Sequence, residues 1–352
     1  MLFRSTYETG TYEITPKDLT VTVTNATKTY NGVAGGSFNF TVEGLVSRDS
    51  KSMLGTPTYG GEATTNKNVG TYELTISLPQ NTTTSNYNIT YIPGEFVVTP
   101  KSVSVTVDNV SKTYDGLTGG SFTFKVSGMA SSDTVAVFGT PYYTGTATTA
   151  RNVGTYSLSV TLPGNDNYTI TSYKAGTFEI KPKAISVRPT ATSRVYDGTV
   201  GGEFGFTVTG LVSTDSESLL GTPTYGGAAV TAKNAGTYAL TVQFPSYTGE
   251  NYTISYLTGS FEIEKKALTV TAIAPEKVYD VKVSKSFSFE VDGLVDGETV
   301  AMLGTPTYSG NAVTATAVGQ YTLKVRFNDN NAVLANYSIS YKDAIFVISQ
   351  AE

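Results

Sequence analysis

Apolar and polar residues alternate along short stretches of this chain. Val103, Val105 and Val107 are separated by single small polar residues, which is the period of a strand with one buried face. The same alternation recurs at Phe122, Phe124 and Val126, at Tyr156, Leu158, Val160 and Leu162, and at Phe178 and Ile180. With a short strand at 142–143 and a final hairpin over 168–180, the pattern predicts about six strands in this part of the chain.

Turn residues separate these segments. Tyr114-Asp115-Gly116 predicts a turn, because Gly adopts positive φ at little steric cost. Residues 131–138 are polar at first and apolar at the end, with Asp133 near the beginning. This pattern predicts one or two helical turns with an acid at the positive end of the helix dipole.

Four markers recur along the chain in a fixed order, about 83 residues apart, which is the signature of a repeat architecture. They are Tyr-Asp/Asn-Gly at Tyr30, Tyr114 and Tyr196 with a variant at Tyr279, Gly-Thr-Pro at Gly55, Gly139, Gly221 and Gly304, Gly-Thr/Gln-Tyr at Gly70, Gly154, Gly236 and Gly319, and Asn-Tyr pairs ending in Tyr87, Tyr168, Tyr252 and Tyr337. We predict a first repeat over 17–99, a second over 100–181, a third over 182–264 and a fourth over 265–352. Residues 7–17 match the closing segment 173–183, so we expect 1–16 to be the last strand of a truncated preceding repeat.

The buried face changes at every boundary between repeats. Phe96 and Val98 occupy even positions, whereas Val103 and Val105 occupy odd ones. A strand of period two cannot change its buried face and stay in one sheet. We therefore expect each repeat to end and the next to begin within about four residues, with no flexible linker and a stiff joint.

The predicted fold class is mainly β, with small domains in tandem that carry one short helix each and are arranged as an elongated rod. An immunoglobulin-like β-sandwich fits each repeat, and a β-grasp-like arrangement is the alternative.

Composition excludes several kinds of chemistry. The chain of 352 residues contains no Cys, His or Trp. Disulfides, thiolate nucleophiles and every catalytic arrangement that needs His are therefore absent. The net charge is −5 and we find no basic stretch, which argues against nucleic-acid binding. Apolar runs are too short to span a bilayer, and the first residues lack the apolar core of a signal peptide.

The remaining acidic candidates have simpler explanations than catalysis or metal binding. In the turn motif, Asp115, Asp197 and Asp280 are explained by turn closure, since Asn31 takes the same place. A second set of acids lies near the start of each predicted short helix, where we expect helix-end electrostatics: Asp49, Asp133, Asp215 and Glu298. The segments 165–167 and 329–331 resemble loose calcium loops but lack the ligand spacing of an EF-hand.

Two further possibilities concern the tyrosines and lysines. Most of the 24 Tyr hold fixed repeat positions that favour packing, while Tyr143 and Tyr247 stay open as exposed rings that could stack on sugars. An intramolecular Lys–Asn isopeptide bond at Lys28 and Lys112 is not a shared device, because Arg194 takes that position in the third repeat. We assign no catalytic, cofactor-binding or metal-ligating residue and expect no cofactor.

The order of these motifs resembles the MBG-type (mostly bacterial glycine-rich, YDG/YGX) repeats of bacterial surface adhesins. The pattern stands at 112–116, 210–215, 220–225, 234–238 and 251–254, and the likeness covers nearly the whole chain. The fourth repeat departs from it, since Val281 replaces the turn glycine and no Gly-Gly pair corresponds to Gly119-Gly120.

The resemblance implies a protein of the bacterial cell surface, extracellular, whose signal and anchor lie outside this fragment. We expect a non-catalytic stalk segment that holds a distal binding region away from the cell. The alternative is a multivalent adhesive module whose repeats bind glycan or host protein. The expected partners are neighbouring repeats of the same chain, with no nucleic acid and no membrane insertion. An enzyme is not expected.

Overall fold

The computed structural model describes residues 1–284 and 286–352, and over these residues the chain is mainly β. It divides into two compact units, Met1–Lys112 with Leu117–Ile180, and Thr113–Gly116 with Lys181–Glu352. The first unit contains the first repeat and most of the second. The other contains the third and fourth repeats together with the turn at Tyr114. None of the helices in the described residues has the length and apolar character needed to cross a membrane.

Over the described residues, each repeat forms seven strands in two sheets. In the first repeat these are β1 (Lys17–Val23), β2 (Ala26–Thr29), β3 (Phe40–Glu43), β4 (Thr58–Gly60), β5 (Gly70–Ser77), β6 (Tyr87–Ile92) and β7 (Gly94–Thr99). One sheet has the order β3-β1-β6 and the other the order β2-β7-β5-β4. The β1–β6 and β2–β7 pairs are parallel, and the other pairs are antiparallel.

The other repeats reproduce this topology. The second has β8 (Lys101–Val107), β9 (Val110–Thr113), β10 (Phe124–Ser127), β11 (Tyr142–Thr144), β12 (Gly154–Thr161), β13 (Tyr168–Lys174) and β14 (Gly176–Lys181). The third has β15 (Lys183–Ala191), β16 (Arg194–Val195), β17 (Phe204–Thr209), β18 (Thr224–Gly226), β19 (Gly236–Gln243), β20 (Tyr252–Tyr256) and β21 (Gly259–Glu264). The fourth has β22 (Lys266–Ile273), β23 (Lys277–Val278), β24 (Ser288–Asp292), β25 (Thr307–Ser309), β26 (Gly319–Arg326), β27 (Tyr337–Lys342) and β28 (Ala344–Ser349).

The helical segments are single turns of 3-10 helix. They are Lys51–Leu54, Glu62–Thr64, Thr84–Asn86, Val135–Phe138, Thr146–Thr148, Glu217–Leu220, Ala228–Thr231, Val300–Leu303, Asn311–Thr314 and Leu334–Asn336. The predicted short helix is therefore reduced to one turn per repeat, because a glycine with positive φ follows it, as at Gly139 with φ 76°. Its last residue, Phe138 in the second repeat, is buried in the core.

The core of each repeat lies between its two sheets. Val21 of β1 and Leu74 of β5 are both fully buried, although they belong to different sheets. The alternating positions of β8 (Val103, Val105 and Val107) are likewise buried, as their period predicts. Two packed sheets correspond to the sandwich rather than to the β-grasp alternative, in which a helix covers one sheet.

Two details of the predicted strands are wrong. The segments 168–174 and 176–181 do not form a hairpin, because β13 pairs with β8 in one sheet while β14 pairs with β12 in the other. Two strands can follow each other directly in the chain and still belong to opposite sheets of a sandwich. The strand expected within 1–16 is not formed, and all 16 residues are exposed. In complete repeats the equivalent strand β7 lies between two strands of its own repeat, and 1–16 has no such neighbours in the described part of the chain.

The change of buried face at the boundaries is confirmed. Phe96 and Val98 at the end of β7 are 1% exposed, and Val103 and Val105 of β8 are 2% and 0% exposed. A single residue, Pro100, separates the two strands, fewer than the four predicted from side chains. In the second unit, Lys265 alone separates β21 from β22. Backbone pairing thus continues to the boundary itself.

Candidate functional site at the joints between repeats

The tyrosine of the turn motif is placed by a parallel strand pair. Strand β2 runs beside β7, and their register ends at Thr29 opposite Thr99. The backbone amide of Tyr30 then donates to the carbonyl of Thr99, at 2.8 Å. Tyr30 therefore leaves the first repeat beside Pro100, where the chain enters the second repeat.

The hydroxyl of Tyr30 binds a carboxylate of the second repeat. It donates to Oδ2 of Asp133 at 2.9 Å, and the hydroxyl of Tyr168 donates to the same oxygen at 2.6 Å. Ser132 donates to the other oxygen, Oδ1, at 2.9 Å. The Tyr168 hydroxyl also accepts the backbone amide of Ala130, at 3.0 Å. We call this arrangement of one carboxylate and two tyrosines a tyrosine–carboxylate node.

Burial and hydrogen bonding together determine the protonation states in this node. Tyr30 is 3% exposed and Tyr168 is 7% exposed, and their rings meet edge to face with centroids 5.4 Å apart. Burial, followed by the bond to Asp133, raises the pKa of Tyr30 to about 12. The bond from Tyr168 holds the pKa of Asp133 below its ordinary value, against the opposing effect of burial. The node is therefore an ionised carboxylate between two neutral phenols at neutral pH.

The second unit contains two more nodes of the same design. Asp215 accepts from Tyr114 at 3.0 Å and from Tyr252 at 2.8 Å. Glu298 accepts from Tyr196 at 2.6 Å through one oxygen and from Tyr337 at 2.5 Å through the other. In every node one tyrosine belongs to the turn motif and the other to the Asn-Tyr pair. The two phenols bind different oxygens of Glu298, whereas both bind Oδ2 in the two Asp nodes.

A second contact accompanies each of the two nodes at Asp133 and Glu298. The side-chain oxygen of Asn167 accepts the backbone amide of Val69 at 2.8 Å, and its nitrogen donates to the side-chain oxygen of Asn68 at 3.1 Å. In the second unit Asn336 accepts the amide of Ala235 at 2.8 Å. The asparagine before the second tyrosine thus binds the Asn-x-Gly loop of the repeat before it.

The Asn-x-Gly loop is itself fixed by a tyrosine of the following strand. Tyr72 donates to the carbonyl of Asn68 at 2.9 Å, and Tyr238 donates to Asn234 at 2.7 Å. These tyrosines were predicted to serve packing, and their rings are partly buried. Their hydroxyls have the further effect of presenting the loop to the asparagine.

The turn glycine permits close approach of the next repeat. Gly32 has φ 77°, and a Cβ placed there would lie 2.1 Å from Oγ of Ser132. Gly198 has the same φ of 77°, but its Cβ would lie 3.5 Å from Val295, an ordinary contact distance. In the second unit one continuous buried cluster contains residues of both repeats, among them Tyr196, Phe261, Val295 and Phe346.

The acids of the turn motif close turns, as predicted. The side-chain oxygen of Asn31 accepts the amide of Val33 at 3.0 Å. Asp197 and Asp280 accept the amides of Thr199 and Lys282 in the same way, each at 2.9 Å. This position therefore requires a side-chain acceptor rather than a charge.

The helix-end role predicted for the other set of acids is wrong. The 3-10 turn begins at Val135, and its N-cap Thr134 makes no side-chain capping bond. Asp133 instead binds the two phenols. The signal was present in the sequence, because each acid recurs together with both tyrosine motifs. Proximity to a short helix is a weaker indication of the role of such an acid than the need of a half-buried carboxylate for hydrogen-bond donors.

Basic residues before the turn motif bind carbonyls of the following loop. The ammonium of Lys28 donates to the carbonyls of Val33 and Gly35. Arg194 donates to the carbonyls of Gly201 at 3.0 Å and Thr199 at 2.7 Å. Lys and Arg are interchangeable here because both supply several donors.

The remaining candidates are occupied by structural contacts. Asn165, in the loop that resembles a calcium site, donates to the carbonyl of Val137 at 3.0 Å. Tyr143 and Tyr247 are partly buried, and their hydroxyls bond to the carbonyl of Phe122 and the amide of Tyr252. Within the described residues, no group of three or more acidic side chains is arranged to hold a metal ion.

Comparison with known proteins gives one family match. The model of the MBG domain (YGX type) matches residues 19–97, 103–179, 185–262 and 268–347. No curated protein matches the chain. Similar solved structures include Drosophila N-cadherin EC1-4 (8% identity, 95% of this chain and 100% of that chain, TM-score 0.21). The S-layer protein rSbsC is also similar, with 13% identity over 95% of this chain and 54% of that chain and a TM-score of 0.22. The Yersinia pseudotuberculosis adhesin InvE has 11% identity over 70% of this chain and 58% of that chain and a TM-score of 0.16.

Proposed function

Because this chain belongs to the MBG domain (YGX type) family, we propose that it is a non-catalytic stalk segment of a bacterial cell-surface adhesin. In this proposal the repeats hold a distal binding region away from the cell, and the protein is extracellular. The four family matches in tandem and the absence of Cys and His support the proposal.

The observation that supports it most strongly is the joint between repeats within one unit. In the first unit a single residue separates β7 from β8, so the chain has little freedom there. The node at Asp133 and the contact of Asn167 with the Asn-x-Gly loop add two polar attachments beside that residue. A covalent connection and two separate side-chain contacts restrict both bending and rotation.

The chemistry of the nodes favours a mechanical role over catalysis. The carboxylate of Asp133 is bound by three hydroxyl donors, and its pKa is lowered. Such a group is a poor general acid, and its oxygens are already engaged by side chains of the protein. The phenols have raised pKa values and are equally unsuited to act as bases at neutral pH.

Small-angle X-ray scattering of the chain in dilute solution tests this proposal. A compact globule of this length has a radius of gyration of about 20 Å. Four repeats end to end, each about 35–40 Å long, have a radius of gyration of about 40 Å. We expect the larger value.

The smaller value would contradict the stalk and would favour the alternative, a module that binds glycan or host protein through several repeats. A matched pair of variants links the result to the nodes. Tyr30→Phe and Tyr196→Phe together should broaden the distribution of dimensions, whereas Tyr279→Phe should leave it unchanged, since Tyr279 is 42% exposed.

A further inference from the structure

The first repeat has a complete set of the residues that accept a preceding repeat. In the second to fourth repeats this acceptor face consists of an apolar residue, the node acid, and the Asn-Tyr pair. The equivalents in the first repeat are Val46, Asp49, Asn86 and Tyr87. Tyr87 donates to Asp49 at 2.6 Å and accepts the amide of Val46 at 3.1 Å, as its counterparts do in the filled nodes.

This acceptor face is uncovered. Val46 is 40% exposed, whereas its counterparts Ala130, Val212 and Val295 are 6%, 7% and 5% exposed. Asn86 is exposed, whereas its counterpart Asn336 is 4% exposed. Among the tyrosines that the structure describes, Tyr87 alone donates to Asp49. The face thus has the geometry of a filled node with one phenol missing.

The turn face of the fourth repeat has lost the features that enter a node. Val281 replaces the turn glycine and is the one non-glycine residue with positive φ, 62°, among those described. Ala317 replaces the asparagine of the Asn-x-Gly loop and so lacks the amide oxygen that Asn68 supplies.

We propose that the acceptor face of the first repeat binds the tyrosine turn of a further MBG repeat joined ahead of Lys17, and that the turn face of the fourth repeat does not enter such a joint. The array would then grow in one direction only, with the fourth repeat as its cap. The occupant is defined by the three filled nodes, which all receive a Tyr-Asp/Asn-Gly or equivalent turn. The inference rests on the role of the joint in the proposed function.

Steric contacts explain why Val281 matters. At Gly32 and Gly116 an added Cβ would lie 2.1 Å and 2.5 Å from the hydroxyls of Ser132 and Thr214. A valine there would collide with any repeat that carries Ser or Thr before its node acid. Gly297 takes that place in the fourth repeat and Arg48 in the first. A capping repeat with an altered outer face is a common feature of repeat proteins.

The test uses the whole chain with one repeat added in register. A copy of residues 101–172 is placed directly ahead of Tyr7, whose following residues supply the matching closing segment. Hydrogen exchange of the Val46 amide is measured with and without the added repeat. We expect exchange to slow by about tenfold or more, because a covered, hydrogen-bonded amide exchanges only through local opening.

One variant of the added copy serves as the control. Tyr114→Phe in the copy removes only the new phenol and should return Val46 toward its fast exchange. An extension made from residues 183–255 provides a second sequence if the first copy does not fold, as judged by protection of its own strands. Unchanged exchange at Val46 beneath a folded added repeat would overturn the proposal.

The opposite end is tested by joining residues 100–182 after Ser349. Tyr279 should still be nitrated by tetranitromethane in this chain, and should become protected when Val281→Gly and Ala317→Asn are introduced together. Protection of Tyr279 without these substitutions would refute the capping role. The scattering test of the stalk and the exchange test of the acceptor face can fail independently. Coverage of Val46 by an added repeat does not determine whether the whole array is extended.

Discussion

The node at Glu298 allows a sharp test by a single-atom change. Tyr196→Phe removes the hydroxyl that donates to Glu298 at 2.6 Å and keeps the ring, which meets the ring of Tyr337 edge to face at 5.6 Å. No cavity is created, so the measured effect reports the hydrogen bond. Its matched control is Tyr279→Phe, the same position in the fourth repeat, where the side chain is 42% exposed.

The expected magnitude follows from burial and charge. A hydrogen bond to a charged group contributes about 1.5–3 kcal/mol to stability. Tyr196 is 3% exposed, but Glu298 is only half-buried and keeps its bond from Tyr337. Water can partly replace the lost phenol, which favours the lower part of that range. We expect Tyr196→Phe to reduce the free energy of opening at this joint by about 1.5–2 kcal/mol, and the exposed control to change it by less than about 0.5 kcal/mol.

The assay must resolve the joint, because a chain of several domains does not unfold in one step. Native-state hydrogen exchange at the Val295 amide satisfies this need, since that amide donates to the Tyr337 hydroxyl at 2.9 Å. Exchange there should accelerate by about tenfold or more in Tyr196→Phe. Equal exchange rates in the two variants would refute the view that the phenol–carboxylate bond holds the repeats together.

Three further predictions concern the same joints. Burial and the bond to Glu298 raise the pKa of Tyr337 from its ordinary value of 10 to about 12. The stabilising contribution of Tyr337 is therefore complete below pH 10 and is lost as the pH rises toward 12. Tyrosinate absorbance and hydrogen exchange should change together in that range, and a transition completed below pH 10 would contradict this prediction. Asn336→Ala leaves the amide of Ala235 without its acceptor and should reduce the free energy of opening, measured by hydrogen exchange at the Val295 amide, by about 1–3 kcal/mol. The exposed Asn86→Ala should reduce the corresponding value at the Val46 amide by less than about 0.5 kcal/mol. Gly32 and Gly198 share the same φ of 77°, so Gly32→Ala and Gly198→Ala introduce the same backbone strain. The greater loss of thermal stability expected for Gly32→Ala therefore reports the steric contact with the next repeat. Equal losses would argue against a role for that contact.

Periodicity was sufficient to predict the strands with one buried face. Val103, Val105 and Val107 of β8 alternate clearly, and so do the buried positions of β12. Strand β9 was missed, because a four-residue segment carries little periodic signal and only Val110 and Lys112 are partly buried. The false hairpin had a different cause. Period two specifies which face a strand buries, but it does not specify the partner strand, and β13 pairs with β8 rather than with β14.

The node could not be located from local patterns, since its members are far apart in the sequence. Tyr30 and Asp133 are 103 positions apart, and Tyr196 and Glu298 are 102 apart. What the sequence does offer is the recurrence of an acid with two tyrosine motifs in each repeat. Recognition of the node from this recurrence requires the parallel β2–β7 register, which brings the turn tyrosine to the boundary. That register depends on tertiary packing and leaves no short-range signature.

The nodes also explain how one sequence pattern can specify both an interior and an end of an array. Each joint is heterologous, because a turn face of one repeat meets a different, acceptor face of the next. Docking adds the second phenol to an acid that already holds one, as the comparison of Asp49 with Asp133 shows. In the proposed array, a change in the turn face of a repeat is sufficient to end the series of docked repeats. Val281 and Ala317 are two such changes in one repeat.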